Sequence, residues 1–147
     1  MKLSTKGRYG LRAMLDLALN GDNGPITIHA IAQRQEISER YLEQLLIPLK
    51  QAGMVKSVRG SQGGYVLGRA PQDISVGDII RVMEGPLAPV ECVSELNPDE
   101  CKRADMCVTR IIWAKLRDSI TEILDSYSLL DLANEYHSMP KTNIIEF

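Results

Sequence analysis

Cys92, Cys101 and Cys107 are the only cysteines of the chain, and they form a C-x8-C-x5-C pattern. An odd number of thiols gathered in one short stretch argues against a disulfide framework. Thiolates bind zinc or the iron of an iron–sulfur cluster. Structural zinc sites favour paired C-x2-C knuckles with a fourth Cys or His, and neither is present here. The wide spacing without a nearby histidine suits a cluster held by three thiolates and one weaker donor. Three unrelated thiols remain the bland alternative, but chance does not account well for their shared location.

A second stretch carries a different chemistry. Arg59-Gly60-Ser61-Gln62-Gly63-Gly64 lies between MVKSV and YVL, two runs that alternate like strands. A glycine-rich hairpin tip lets backbone approach a phosphate, or an arginine enter a minor groove. Ahead of it, Ile28, Ile31 and Ala32 fall at helical spacing and Gln35-Glu36-Ile37 makes a polar turn. Ser38 sits where an N-cap belongs. Leu42, Leu45, Leu46 and Leu49 then mark one face of a longer helix, which Gly53 closes. Ile26 to Gly68 therefore reads as a helix-turn-helix followed by a wing, the arrangement that lays one helix in a major groove. Arg40, Glu43, Gln44 and Lys50 fall off the leucine stripe. Arg reads guanine and Gln reads adenine, while Glu43 either accepts from a cytosine amine or discriminates among sites. The competing reading is a small scaffold with solvated charges, in which Arg40 pairs with Glu43 or Gln44 along the helix.

Around this motif, Ser4 or Thr5 caps a first helix from Lys6 to about Asn20, with Leu11, Met14, Leu15, Ala18 and Leu19 as its buried stripe. Lys6, Arg8 and Arg12 oppose the dipole of that helix and suit a contact with DNA phosphates. Gly21 to Pro25 is a turn, and His29 reads as a surface or core filler. Beyond the wing, Ser75 and Asp78 resemble a capping box that opens a short helix ending at Gly85. A loop without periodicity runs from Pro86 to about Asp105 and holds the cysteines, as functional loops of this length often do. From Val108 a long helix carries Ile111, Ile112, Leu116, Ile120, Ile123, Leu124 and Tyr127 at three- and four-residue steps. A small domain has no core to cover it, which predicts a homodimer with Ile112, Leu116, Ile120 and Ile123 at the seam, suited to a palindromic operator. Ser128 and Asp131 open a terminal helical turn through Tyr136, and His137 to Phe147 form a tail.

Composition agrees with this plan. The chain has 147 residues, 44% hydrophobic and 24% charged, as in ordinary globular proteins. No signal-peptide core or membrane-length apolar run is present, so a cytoplasmic protein without membrane contact is expected. The net charge is −2. Residues 1–70 hold ten Lys/Arg against five Asp/Glu, while residues 71–147 hold seven against fourteen. The positive half is the half with the helix-turn-helix, and phosphate attraction acts locally. There is no catalytic triad, phosphate loop or plausible acid–base pair, which argues against an enzyme. The fold expected is mainly α with a small β-hairpin wing. Its parts are a winged helix-turn-helix domain over 1–85, a cysteine loop over 86–106, a dimerisation helix and terminal turn over 107–136, and a tail over 137–147.

LSTKGRYGLRAMLDLALN, SERYLEQLL, VRGSQGGYVLG and VGDIIRVMEG together resemble the IscR-type winged-helix regulators, a family with the siblings NsrR, RirA and CymR. The resemblance runs to about Asn134. It implies a homodimeric bacterial transcription factor on double-stranded DNA, with DNA-facing positions Arg40, Tyr41, Glu43 and Gln44 in the helix and Arg59, Gly63 and Gly64 in the wing. It implies an iron–sulfur cluster on Cys92, Cys101 and Cys107, of 2Fe–2S or alternatively 4Fe–4S type. IscR-type members take a histidine three residues after the third cysteine as fourth ligand, and that position here is Arg110, which stays protonated and cannot ligate. NsrR-type members use an acid whose position here is Arg8. Glu91, Glu100, Asp105, a partner-subunit group or an exogenous thiolate remain as fourth donors. Members like CymR lack the cysteines, which leaves a cluster-free repressor controlled by a protein partner as the alternative.

Overall fold

The computed structural model describes residues 2–96, 101–140 and 147. Six α-helices surround one antiparallel hairpin: α1 (Thr5–Asn20), α2 (Ile28–Gln35), α3 (Glu39–Gln51), β1 (Val55–Val58), β2 (Gly64–Leu67), α4 (Val76–Glu84), α5 (Val108–Ser126) and α6 (Leu129–Ser138). The winged, mainly helical fold expected from the pattern is the fold found.

Each helix of the N-terminal half starts where a side-chain oxygen can take an unpaired amide. Ser4 accepts from the Gly7 N–H at 3.3 Å, and Ser38 accepts from the Tyr41 N–H at 3.1 Å. Glu84, at the far end of α4, also reaches the start of α1, accepting the Gly7 N–H at 3.1 Å and the Ser4 N–H at 3.0 Å. A carboxylate there offsets the repulsion between the helix dipole and the basic first turns. Ser75 and Asp78 complete the expected capping box of α4.

The core forms where α1 meets α2, α3, α4 and α6. Leu42, Leu45, Leu46 and Leu49 are fully buried, as their spacing requires, alongside Ile31, Ile74, Ile79 and Leu129. The expected stripe of α1 needs correction. Met14 is buried, but Ala13, Asp16 and Leu17 are buried with it, while Leu11, Leu15, Ala18 and Leu19 are only half-buried. A helix packed on several neighbours lacks a single apolar face, so the simple amphipathic stripe fails for it.

Asp16 is completely buried and is held from α2. Arg34 donates to both carboxylate oxygens, at 2.9 and 2.7 Å, and the Gln35 amide donates at 2.9 Å. This bond to Asp16 raises the Arg34 guanidinium pKa against the opposing effect of burial. The network fixes the last turn of α2 just before Glu36, whose left-handed backbone (φ 55°) turns the chain into α3.

The wing pairs Val55 with Leu67 through Val58 with Gly64. An isolated antiparallel bridge is added on the other side of β2, where Ile26 exchanges backbone bonds with Tyr65, at 2.9 and 2.7 Å.

The segment after α4 is less irregular than its composition suggests: 3₁₀ turns form at Glu91–Val93 and Ala104–Met106. Glu100, one of the fourth donors considered, lies outside the described residues. Helix α5 contains no buried residue. It is tied to the body at its far end, where Arg81 of α4 grips Asp125 with two bonds of 2.8 and 2.7 Å. Backbone bonds from Val76 to Tyr127 and from Leu129 to Ile74 stitch the α5–α6 junction beside them. The terminal turn proves to be a ten-residue helix reaching Ser138, opened by the Ser128–Asp131 capping box.

Candidate nucleic-acid interface and thiol site

Burying the leucine stripe of α3 turns the opposite face outward, and Arg40, Glu43 and Gln44 are all exposed on it. Among the described residues no ion pair joins Arg40 to Glu43. Tyr41 is half-buried, edge-on to the Tyr9 ring at 6.1 Å, and so anchors α3 to α1. Lys50 donates to Ser57 at 3.0 Å, joining the last turn of α3 to the wing. His29 is exposed rather than core, 2.7 Å from Glu39 at the start of α3.

Arg59 stands exposed at the hairpin tip. Gly63 and Gly64 have a packing reason the sequence did not disclose. A Cβ at Gly63 would collide with the Val58 carbonyl, and one at Gly64 with the Ile26 carbonyl. Gly63 lets the hairpin tip close on itself, and Gly64 lets the wing close tightly on the chain before α2. Of the three basic residues near the start of α1, Lys6 and Arg8 are exposed. Arg12 is engaged: it donates to Gln35 at 2.9 Å and lies over the Tyr9 and Phe147 rings at 5.3 and 5.8 Å.

All three cysteines are free thiols; Cys92 and Cys107 are half-buried and Cys101 is exposed. Cys92 lies in the first 3₁₀ turn and Cys107 is the N-cap residue of α5. The Thr109 hydroxyl lies 3.2 Å from the Cys107 sulfur. That bond, followed by the Arg110 backbone N–H, lowers the Cys107 thiol below its ordinary pKa. An open cleft of about 650 Å³ runs beside it, between Val93, the second 3₁₀ turn and α5. The donor types suit an iron–sulfur cluster, but the set is incomplete. Among the described residues no three Cys, His, Asp or Glu side chains converge on one point. Arg110 points its Nε–H at the Cys92 carbonyl, 3.2 Å away.

The α5 residues of the expected dimer seam divide into two groups. Ile112 and Ile123 are well exposed and Leu116 is partly so. Ile120 instead faces its own domain, in an apolar groove of about 320 Å³ with Leu3, Ile80, Leu87 and Leu124. Among the described residues no helix is long and apolar enough to cross a membrane.

A family profile described as Rrf2, iron-dependent transcriptional regulator, matches residues 3–135. The HTH-type transcriptional regulator CymR of Bacillus subtilis is 50% identical over 134 residues, covering 91% of each chain. Its solved structure, described as that of the global cysteine regulator, superposes with a TM-score of 0.77 over 92% of this chain and 98% of that one. The solved T. potens IscR is 47% identical, with a TM-score of 0.77 over 96% of this chain and 93% of that one. The HTH-type transcriptional regulator IscR of an Escherichia coli strain is 37% identical over 98% of this chain and 94% of its own length.

Proposed function

The chain belongs to the Rrf2 family of transcriptional regulators, and from that premise we propose that it binds palindromic double-stranded DNA as a cytoplasmic homodimer and senses iron–sulfur, redox or nitric oxide status through its cysteine segment. It is a regulator and not an enzyme. The observation that carries DNA binding is the pairing of an exposed α3 face with an arginine-tipped wing tied to the same helix by Lys50 and Ser57. Arg40, Tyr41, Glu43 and Gln44 serve the major groove, and Arg59, Gly63 and Gly64 the minor groove.

Removing a base-reading arginine costs about 1–3 kcal/mol. Arg59→Ala is expected to weaken specific binding by that amount in a titration at fixed salt. Wild-type affinity is expected to fall steeply as salt rises, since phosphates supply much of it. An unchanged affinity removes Arg59 from the interface.

For sensing, Cys92, Cys101 and Cys107 are the residues that would hold an iron–sulfur cluster, 2Fe–2S in preference to 4Fe–4S, with a fourth donor other than Arg110. When bound, such a cluster supplies sensitivity to oxygen, nitric oxide and iron supply. The chain's own contribution is to hold Cys92 and Cys107 at the start of α5, whose exposed side forms the proposed dimer seam. A second reading has a specific observation behind it. The 50% identity to CymR and the unconverged donors favour a cluster-free repressor that answers to a regulatory protein partner. Iron and sulfide analysis separates the two.

A further inference from the structure

Two guanidinium groups of α5 reach back to the turn that carries the first cysteine. Arg110 donates through Nε to the Cys92 carbonyl at 3.2 Å, and Arg117 donates through Nη1 to the Val93 carbonyl at 2.9 Å. The backbone N–H of Arg110 also donates to the Cys107 carbonyl at 3.2 Å. One residue therefore holds the carbonyls of two of the three cysteines. The turn between the two clasps is packed, with Val93 and Ser94 at 2% and 5% exposure. Its own amides are paired, Val93 to Val90 at 3.3 Å and Ser94 to Glu91 at 2.9 Å.

We propose that Arg110 is a positioning residue that clasps the Cys92 turn to α5, so that the cysteine segment stays anchored at both ends when no metal is bound. A guanidinium donor cannot serve as a metal ligand, but it suits a carbonyl, which needs only a fixed N–H. Arg117 shares the work at the next carbonyl and is itself braced by two bonds to Asp118, at 2.8 and 2.7 Å. Position 110 thus fixes the backbone of Cys92 and leaves the sulfur free.

The clasp does not depend on the sensor reading, and its test begins with metal-free protein. Hydrogen exchange is followed at the Val93 and Ser94 amides in the wild type and in Arg110→Ala. Loss of one hydrogen bond predicts exchange at these amides faster by roughly three- to ten-fold. Amides in the second half of α5 should keep their rates. Arg110 is exposed, so the variant folds, and an unchanged melting temperature checks this. A double variant, Arg110→Ala with Arg117→Ala, should accelerate the same two amides further. Equal rates at Val93 and Ser94 in wild type and Arg110→Ala overturn the proposal. Where wild-type protein prepared anaerobically contains iron, Arg110→Ala should keep the visible spectrum of the wild type, because the ligand set is unchanged. A changed spectrum would mean that position 110 acts on the thiolate donors and not only on the backbone of Cys92, and would overturn the proposal too. Iron-free wild type defeats the cluster reading alone and leaves the exchange result standing.

Discussion

Asp16→Ala is expected to destabilise the protein by roughly 3 kcal/mol, because it strands polar groups that have no other partner in the core. Asp16 has no exposure to water and accepts from Arg34 and Gln35 at once. Arg34 is 28% exposed and can regain part of its hydration, which keeps the cost at the low end for a broken buried pair. Gln35 is 1% exposed and its amide cannot. The loss should be read as a lower urea midpoint at unchanged m-value. Asp16→Asn keeps the shape and one acceptor and should cost less. Equal stability of Asp16→Ala and wild type would mean that the network contributes nothing to holding α2 on α1. Because the network ends one residue before the turn into α3, a destabilised variant that still folds should also bind DNA less well.

Leu116→Asp should produce the other large effect. The exposed side of α5 carries Ile112, Leu116 and Ile123 with no covering element among the described residues. In the proposed dimer these residues meet their copies, and a carboxylate there is desolvated without a partner. A penalty of roughly 4 kcal/mol corresponds to a thousand-fold weaker dimer. Sedimentation at micromolar concentration should show monomer or aggregate. A well-folded dimer would refute the assigned seam. Ile120→Asp provides a contrast. Its side chain lies in the groove of its own domain, so it should affect folding more than assembly.

Features set by nearest neighbours were legible in the sequence. The caps at Ser4, Ser38, Ser75 and Ser128 all formed, since each needs only a side-chain oxygen three residues from an unpaired amide. The leucines of α3 were legible because that helix buries one face only. Features set by distant partners were not. Nothing local distinguishes Asp16 from a solvated acid, as its partners lie 18 and 19 residues further on. The role of Gly64 depends on Ile26, which no short-range pattern connects to it. The Arg110 and Arg117 contacts go to backbone carbonyls, which every residue possesses, so they leave no signature in residue type. Ile120 shares its spacing with Leu116 and Ile123, and only the position of α5 against α4 decides which way it faces.

The sensing claim is tested most directly by iron and acid-labile sulfide content after anaerobic purification, measured for the wild type and for Cys92→Ala, Cys101→Ala and Cys107→Ala. Three thiolates acting together predict iron and sulfide in equal amounts with visible absorption in the wild type, and loss of both in each variant while the fold persists. Wild type free of iron, or any one variant retaining full iron, would contradict the account.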